Sequence, residues 1–464
     1  MINRRSFLKI AAAGPAVLHG AARRTNVVFL LADDLGWGDL TSFGCPDIRT
    51  PAIDAIGHQG VRFTRAYSNA PECTPTRSAL MTGRYQQRVG GLECAIGVGN
   101  VGRYDEAEWL QKRGELGLPV SQTSIARMFQ SHGYDTACFG KWHLGYLDKF
   151  SPNAHGFDEY LGVLGGNSDY FVHVEQSGGP VLYRNGQRID QKGYLTDLFA
   201  EEAIRWLKAR GSRRPFFLYV PFTAPHQPYQ GPEDSGKPAL WNNGSRATYV
   251  SMVERMDYQV GRIVEQLDRM GAAENTLLVF MSDNGATPPG RNLPLRGVKT
   301  ELWEGGIRSP AMMRWPAAFE AGITTDQVAL TMDISATALA ACSVKPSRKL
   351  DGIDLLPVLT RQRAPFRRTV FWRYKRGKVV SKAAMDGDLK YVNDNGAEAL
   401  HDLSSDMLEQ KNLVAARSAD TGKLKAKLAA WERDVAAPRL RDFRPQQENT
   451  ESNELRTTRT DREH

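Results

Sequence analysis

Apolar and polar positions along the chain fall into a unit that repeats. Val27-Val-Phe-Leu-Leu-Ala32 is a continuous apolar run, closed at once by Asp33-Asp34. The same order returns at Thr136-Ala-Cys-Phe139 before Gly140-Lys-Trp-His-Leu-Gly145, and at Phe216-Phe-Leu-Tyr-Val220 before Ala224-Pro-His226. It returns again at Leu277-Leu-Val-Phe-Met281 before Ser282-Asp-Asn-Gly285. Unbroken apolar runs of strand length suit strands covered on both faces, as in a parallel sheet. Between them the period lengthens to that of a helix, over 121–132, 198–210 and 249–270. In the last of these, Met252, Met256, Val260, Ile263, Val264 and Leu267 form one stripe. Strands alternating with helices predict an α/β fold, doubly wound around a mostly parallel sheet. Ligands in such folds sit beyond the carboxyl ends of the strands, so the four polar closures should converge on one site.

The pattern changes late in the chain. Residues 344–368 are rich in Pro, Lys and Arg and read as a boundary. Beyond them, 383–392 and 399–403 read as short antiparallel strands. An amphipathic helix over 423–435 carries Leu424, Leu428, Trp431 and Val435 on one side. The expected organisation is therefore 1–22 as an export signal, 23–360 as the catalytic domain, 361–437 as a small C-terminal α+β subdomain, and 438–464 as a polar, disordered tail.

Composition narrows the partners. Lys and Arg total 60 against 52 Asp and Glu, a net +8 that favours anionic partners. The basic residues are scattered without interleaved aromatics, which speaks against nucleic acid. Arg4-Arg5-Ser-Phe-Leu-Lys9 and the Ala-rich run to Ala22 look like a twin-arginine signal, with Asn3 where Ser or Thr is more usual. That implies the twin-arginine translocase as a partner and a periplasmic or secreted protein without a stable membrane anchor. The apolar run is too short to span a bilayer. The 5 cysteines are odd in number and too few for a disulfide scaffold. One pair among Cys45, Cys73, Cys94, Cys138 and Cys342 is left open.

Two groups of residues carry candidate chemistry. In Cys73-Thr-Pro-Thr-Arg77, Thr74 reads as an N-cap, Pro75 as the first helical position and Gly83 as the stop. The cysteine then lies at a helix N-terminus, which favours an anion, with a bidentate cation one turn along. A buried structural cysteine or half of a disulfide are the plainer readings. Asp33, Asp34, Asp283 and Asn284 offer only hard oxygen ligands. Carboxylates meeting at a sheet edge repel unless a cation neutralises them, and this set suits Ca²⁺, with Mg²⁺ second, rather than zinc.

Cys73-Thr-Pro-Thr-Arg77, with Ser-Ala-Leu-Met-Thr-Gly-Arg84 after it, resembles the signature of the type I sulfatases of the alkaline phosphatase-like superfamily. The likeness covers nearly the whole chain from Asn26 to about Leu413. It includes Asp33-Asp-Leu-Gly-Trp-Gly-Asp39, Gly140-Lys-Trp-His-Leu-Gly145, His155-Gly-Phe-Asp158, Pro225-His-Gln-Pro228, Ser282-Asp-Asn-Gly285, Arg296 to Gly306, and the stretch from His401 to Leu413. Within that family the chain resembles the N-acetylgalactosamine-6-sulfatase and arylsulfatase A type.

The resemblance implies that a maturase oxidises Cys73 to formylglycine, whose hydrate is the nucleophile. It implies a metal on Asp33, Asp34, Asp283 and Asn284, with the modified residue 73 as a further ligand. Arg77 joins the catalytic set. Lys141, His226 and Lys299 contact the sulfate, with His226 or Lys299 protonating the leaving alcohol. His143 takes the proton from the second hydroxyl of the hydrate, expelling sulfate. The implied substrate is a sulfated small molecule or glycan, with Gly165 to Tyr170 as candidate contacts to it. A formylglycine-dependent phosphonate or phosphate ester hydrolase is the enzyme alternative, and a non-catalytic calcium- and glycan-binding relative is the alternative from another class. Asp406-Met-Leu-Glu409 departs from the Pro-Gly-Glu expected there, a change assigned to the C-terminal appendage and not to the site.

Overall fold

The computed structural model describes residues 24–97, 104–176, 178–210 and 214–444. The expected export signal, 1–22, lies outside the described residues.

A 10-stranded sheet forms the centre. Its middle is five strands in the order Thr276–Ser282, Asn26–Ala32, Phe216–Pro221, Asp135–Lys141 and Glu159–Val163, each parallel to its neighbours. Each apolar run foreseen in the sequence is one of these strands. Both faces are covered, which is why the runs show no polar alternation. Val28, Leu30 and Ala32 enter one core with the helices Leu195–Arg210 and Arg246–Arg269. Val27, Phe29 and Leu31 enter a second core with Cys73–Thr82, Ile125–Ser131 and Thr331–Ala341. Each fully buried Leu, Val or Phe contributes roughly 1.5–3 kcal/mol, so a polar residue inside any of these runs would be expensive. Antiparallel strands, Ala311–Arg314 on one side and Leu182–Arg184 on the other, extend the sheet.

The C-terminal part is an antiparallel sheet of four strands, Thr369–Arg376, Val379–Asp386, Leu389–Asp394 and Ala397–Asp402, covered by the helix Ser418–Asp434. The reading of 383–392 as one strand is corrected here. A turn at Gly387, whose φ is +63°, divides it between two strands, and Thr369–Arg376 went unread. The expected disorder from Pro438 is corrected as far as the description reaches. Pro438–Leu440 is a 3-10 turn, and the Arg439 guanidinium donates to the carbonyls of Gly90, Glu115 and Gly117. Residues 445–464 lie outside the described residues. All five cysteines are free thiols, so the open disulfide pairing is answered in the negative.

Candidate active site

Strand register assembles the site. Ala32 pairs with Ser282, so Asp33-Asp34 and Asp283-Asn284 leave the sheet side by side. The Asp135–Lys141 strand, two places away, ends on Lys141. Cys73 is the first residue of its helix, and the residue before it, Glu72, occupies the cap position without a side-chain capping bond. The sequence reading had put the cap at Thr74 and Pro75 at the first helical position. The helix instead starts earlier, and Thr74 Oγ1 donates to the His143 carbonyl at 3.0 Å. A capping residue that finds a tertiary acceptor has no reason to cap.

One oxygen or sulfur from each of Asp33, Asp34, Cys73 and Asp283 lies within 4.8 Å of the others. Asn284 joins them through Nδ2, which donates to Asp34 Oδ1 at 2.7 Å, while its Oδ1 is buried without a partner. Three cations balance the three carboxylates. Arg77 donates from Nε to Asp283 Oδ2 at 3.0 Å, and from Nη2 to the same oxygen at 2.8 Å and to Asp33 Oδ1 at 3.2 Å. Lys141 Nζ reaches Asp33 at 2.6 and 2.9 Å, and Lys299 Nζ reaches Asp34 Oδ2 at 2.7 Å and Cys73 Sγ at 3.5 Å. The third nitrogen of Arg77, Nη1, donates to the Lys141 carbonyl at 2.9 Å. Arg77 is wholly buried against the carboxylates.

The electrostatics follow from burial and these partners. Burial alone would raise Asp34, but Lys299, His226 and Lys141 overcome it and hold the carboxyl well below the usual range. Burial pushes Asp283 up to about 6 against the pull of Arg77. Burial also drives the Cys73 thiol well above its ordinary value, so the unmodified cysteine is a poor nucleophile.

Both histidines are held neutral. Burial, with Lys141 and Arg77, pushes His143 far down, and burial beside Lys299 lowers His226 to about 3. His143 Nε2 lies 2.6 Å from the Ile96 carbonyl. A carbonyl only accepts, so Nε2 carries the hydrogen and Nδ1, buried and unpartnered, is left with its lone pair. By the same reasoning His226 Nδ1, 2.6 Å from the Gln227 carbonyl, is the donor, and Nε2 faces Asp34 Oδ2 at 3.5 Å. Tyr170 holds that loop by donating to the carbonyls of Thr223 and His226 at 2.7 and 2.9 Å.

Asp34, His143 and Thr300 all have positive φ, at 63°, 57° and 75°. Non-glycine residues in this region carry strain that the surroundings must hold, as is usual around functional groups. Gly166 packs on the His143 ring so closely that a Cβ would lie 2.7 Å from Cε1.

A cleft of about 590 Å³ opens here. Cys73, His143, His226 and Lys299 line it, with Ile96, Tyr146, Gly166, Asn167, Thr287 and Thr300. Asp33, Asp34, Arg77, Lys141, Asp283 and Asn284 lie together behind the four candidates that line it. Within 165–170, Gly166 and Asn167 reach the cleft, while Tyr170 serves behind it. Among the lining residues that went unforeseen, Glu72 and Arg376 are a charged pair. Arg376 had a legible signal: Val370, Trp372 and Tyr374 are the buried face of an alternating strand, and Arg376 is in phase with them. Glu409, in the appendage, does not line the cleft but reaches the segment behind it. It is buried, and its Oε2 accepts from the Glu304 backbone N–H at 2.6 Å, so the appendage braces the segment that carries Lys299.

Comparison with known proteins gives concordant results. The family model "Sulfatase" matches residues 25–344, and "N-sulphoglucosamine sulphohydrolase, C-terminal" matches 298–434. Human N-acetylgalactosamine-6-sulfatase is 33% identical over 374 residues, spanning 76% of this chain and 69% of the relative. Arylsulfatase G of Rattus norvegicus is 33% identical over 384 residues, spanning 73% and 69%. Among solved structures, Ps i-CgsB in complex with k-i-k-neocarrahexaose superposes with a TM-score of 0.79 at 28% identity, covering 95% of this chain and 98% of that one.

Proposed function

The chain belongs to the sulfatase family and is a sulfuric ester hydrolase, and from that premise we propose that the cleft works through a formylglycine made from Cys73 beside a bound calcium ion. The observation that carries this reading is the donor set. Three buried carboxylates and the unpartnered Oδ1 of Asn284 meet beside residue 73, all of them hard oxygens. They fit a divalent cation on Asp33, Asp34, Asp283 and Asn284. When bound, such a cation supplies Lewis acidity, lowering the pKa of a hydroxyl and drawing charge from a sulfate oxygen. An aldehyde at residue 73, hydrated, supplies two hydroxyls, one to attack sulfur and one to release it afterwards.

The chain's own side chains do the rest. Arg77 fixes the carboxylates from below. Lys299, on the cleft wall beside His226, and Lys141 behind it supply donors for sulfate oxygens, and three carboxylates matched by three lysine and arginine charges leave the cation's own charge to meet the anion. Lys299 hands a proton to the leaving alcohol; His226, neutral with its hydrogen on Nδ1 toward the Gln227 carbonyl, has none to give there. His143, with Nε2 committed to the Ile96 carbonyl, accepts a proton at Nδ1. Its depressed basicity keeps that lone pair free at neutral pH.

A sulfated sugar is the favoured substrate class, a reading supported by the likeness to N-acetylgalactosamine-6-sulfatase and to Ps i-CgsB in complex with k-i-k-neocarrahexaose. Among the described residues no helix is long and apolar enough to cross a membrane. Export by the twin-arginine route, with oxidation of Cys73 by a cytoplasmic maturase beforehand, completes the proposal. Cell fractionation of the native host, with the protein in the periplasm or medium, checks the export step.

The decisive assay compares sulfate release from N-acetylgalactosamine 6-sulfate and 4-nitrophenyl sulfate with turnover of 4-nitrophenyl phosphate. Sulfate esters are expected to react faster; a phosphate preference of about tenfold or more, some 1.4 kcal/mol of barrier, would overturn the reading. Mass spectrometry of the residue-73 peptide from the active protein should show formylglycine. Chelation should abolish turnover, and added calcium should restore it.

A further inference from the structure

Strand Thr369–Arg376 belongs to the C-terminal sheet, yet its last residue lines the cleft of the other part of the molecule. The alternation explains how. Val370, Trp372 and Tyr374 point into the core shared by the two parts, and Arg376 continues that row one step past the end of the core. There its Nη1 donates to Glu72 Oε1 at 2.7 Å. Glu72 is itself fixed, since its Oε2 accepts from Tyr374 Oη at 3.1 Å and from the Ala95 backbone N–H at 2.8 Å. Glu72 also immediately precedes Cys73, so the guanidinium is anchored next to the reacting residue.

The neighbouring cations of the strand are directed elsewhere. Arg373 is held by both oxygens of Glu93 at 2.7 Å, and Lys375 pairs with Glu106 at 2.5 Å. Arg376 remains 46% exposed while its partner Glu72 is 3% exposed. One nitrogen is therefore tied down and the rest of a rigid donor fork is presented to the cleft. The other acidic lining residue, Glu175, lies against Gly165, where a Cβ would come 2.4 Å from its Oε1 and 3.1 Å from the Tyr146 hydroxyl. The cleft's volume is that of a site for a molecule of drug size, well beyond a single sulfate group.

We propose that Arg376 is a specificity-determining residue that binds a second anionic group of the substrate, a carboxylate or a further sulfate, on the part flanking the ester that is cleaved. This rests on the reading of the cleft as a sulfate ester site and deepens it: the preferred substrate carries at least two negative groups. A preorganised guanidinium takes either planar carboxylate or sulfate oxygens in a bidentate manner, which a lysine at the same place would not do.

The test measures binding by calorimetry to the Cys73→Ala chain, where turnover cannot intervene. The probes are N-acetylgalactosamine 6-sulfate, the same sugar linked to glucuronic acid, and a galactose disaccharide bearing two sulfates. In that background Arg376→Ala is expected to weaken one or both two-anion probes by about tenfold or more, the size of a lost charge-assisted hydrogen bond, and the one-anion sugar by less than about twofold. Arg376→Lys should recover part of the loss. Which two-anion probe responds identifies the group as carboxylate or sulfate. Equal loss for all three probes, no loss for any, or two-anion probes binding no tighter than the single sulfate in the parent would overturn the proposal. Arg376→Gln, with its thermal midpoint measured beside it, guards against a folding defect. Binding that discriminates while the parent enzyme releases no sulfate would sink the functional reading and spare the subsite.

Discussion

The molecule buries two clusters of charge, one around Cys73 and one around Lys390, and the side chains of Asp33, Asp283, Arg77 and Lys141 are as fully removed from water as those of Glu304, Glu409 and Lys390. In the second cluster Lys390 Nζ lies 2.9 Å from Glu304 and 2.9 Å from Glu409. Tyr67 and Arg308 donate to the other oxygen of Glu304 at 2.9 and 3.1 Å, and the Glu304 backbone N–H takes the other oxygen of Glu409. Each carboxylate oxygen faces a cation or a donor from the protein itself, though Glu409 Oε1 meets Lys390 as an ion pair without a hydrogen bond and has no opening beside it. The first cluster is equally matched in charge, but Asn284 Oδ1 and His143 Nδ1 are left over and four of its residues line a cleft. Buried charge is common to a brace and a reactive centre. What separates them is unspent bonding capacity beside an opening.

That contrast can be broken by experiment. The largest effect is expected from Cys73→Ala, which should lower sulfate release by more than about a thousandfold, as loss of a nucleophile does, with the thermal midpoint nearly unchanged. A fall in midpoint comparable to that of the brace variants would erase the distinction. Lys390→Met leaves two buried carboxylates facing each other and should cost about 3–5 kcal/mol, the penalty for breaking a buried pair from one side. Thermal and denaturant unfolding would read it, while the fraction that remains folded keeps its kcat within a fewfold. Activity lost without stability would move Lys390 into the reactive centre.

The smallest effect concerns pH. Burial lowers His401 below its ordinary 6.5, with Asp406 Oδ2 at 3.3 Å opposing. As pH falls below about 6.5 the unfolded chain takes up a proton that the folded chain resists, so stability declines on that side. His401→Gln should flatten this slope in melting curves between pH 5 and 7; an unchanged slope would remove His401 as its source.

Much of the site was legible because its residues sit where a local pattern breaks. An apolar run that ends in Asp33-Asp34 or in Asp283-Asn284 announces a strand end on a hydrophilic rim, and parallel register does the gathering. Boundaries decided by side-chain competition were not legible. Thr74 looked like a cap, but the His143 carbonyl, 69 positions away, claims its hydroxyl. The span 383–392 looked like one strand, although Asp386-Gly387-Asp388 carries a hairpin signal within it. Glu409 looked peripheral because nothing near it in sequence names Glu304 or Lys390 as partners.

Sequence by itself determined the sheet, the type of ligand atoms at its rim and the pairing of a cysteine with an arginine one helical turn away, since each depends on residues close together in the chain. Tertiary structure alone decided that Arg77 faces the carboxylates and not the cleft, that His143 keeps Nδ1 free, and that Arg376 and Glu409 reach across from the C-terminal sheet. Those outcomes turn on which distant donor meets which acceptor, and hydrogen bonds and ion pairs are satisfied in space without regard to separation along the chain.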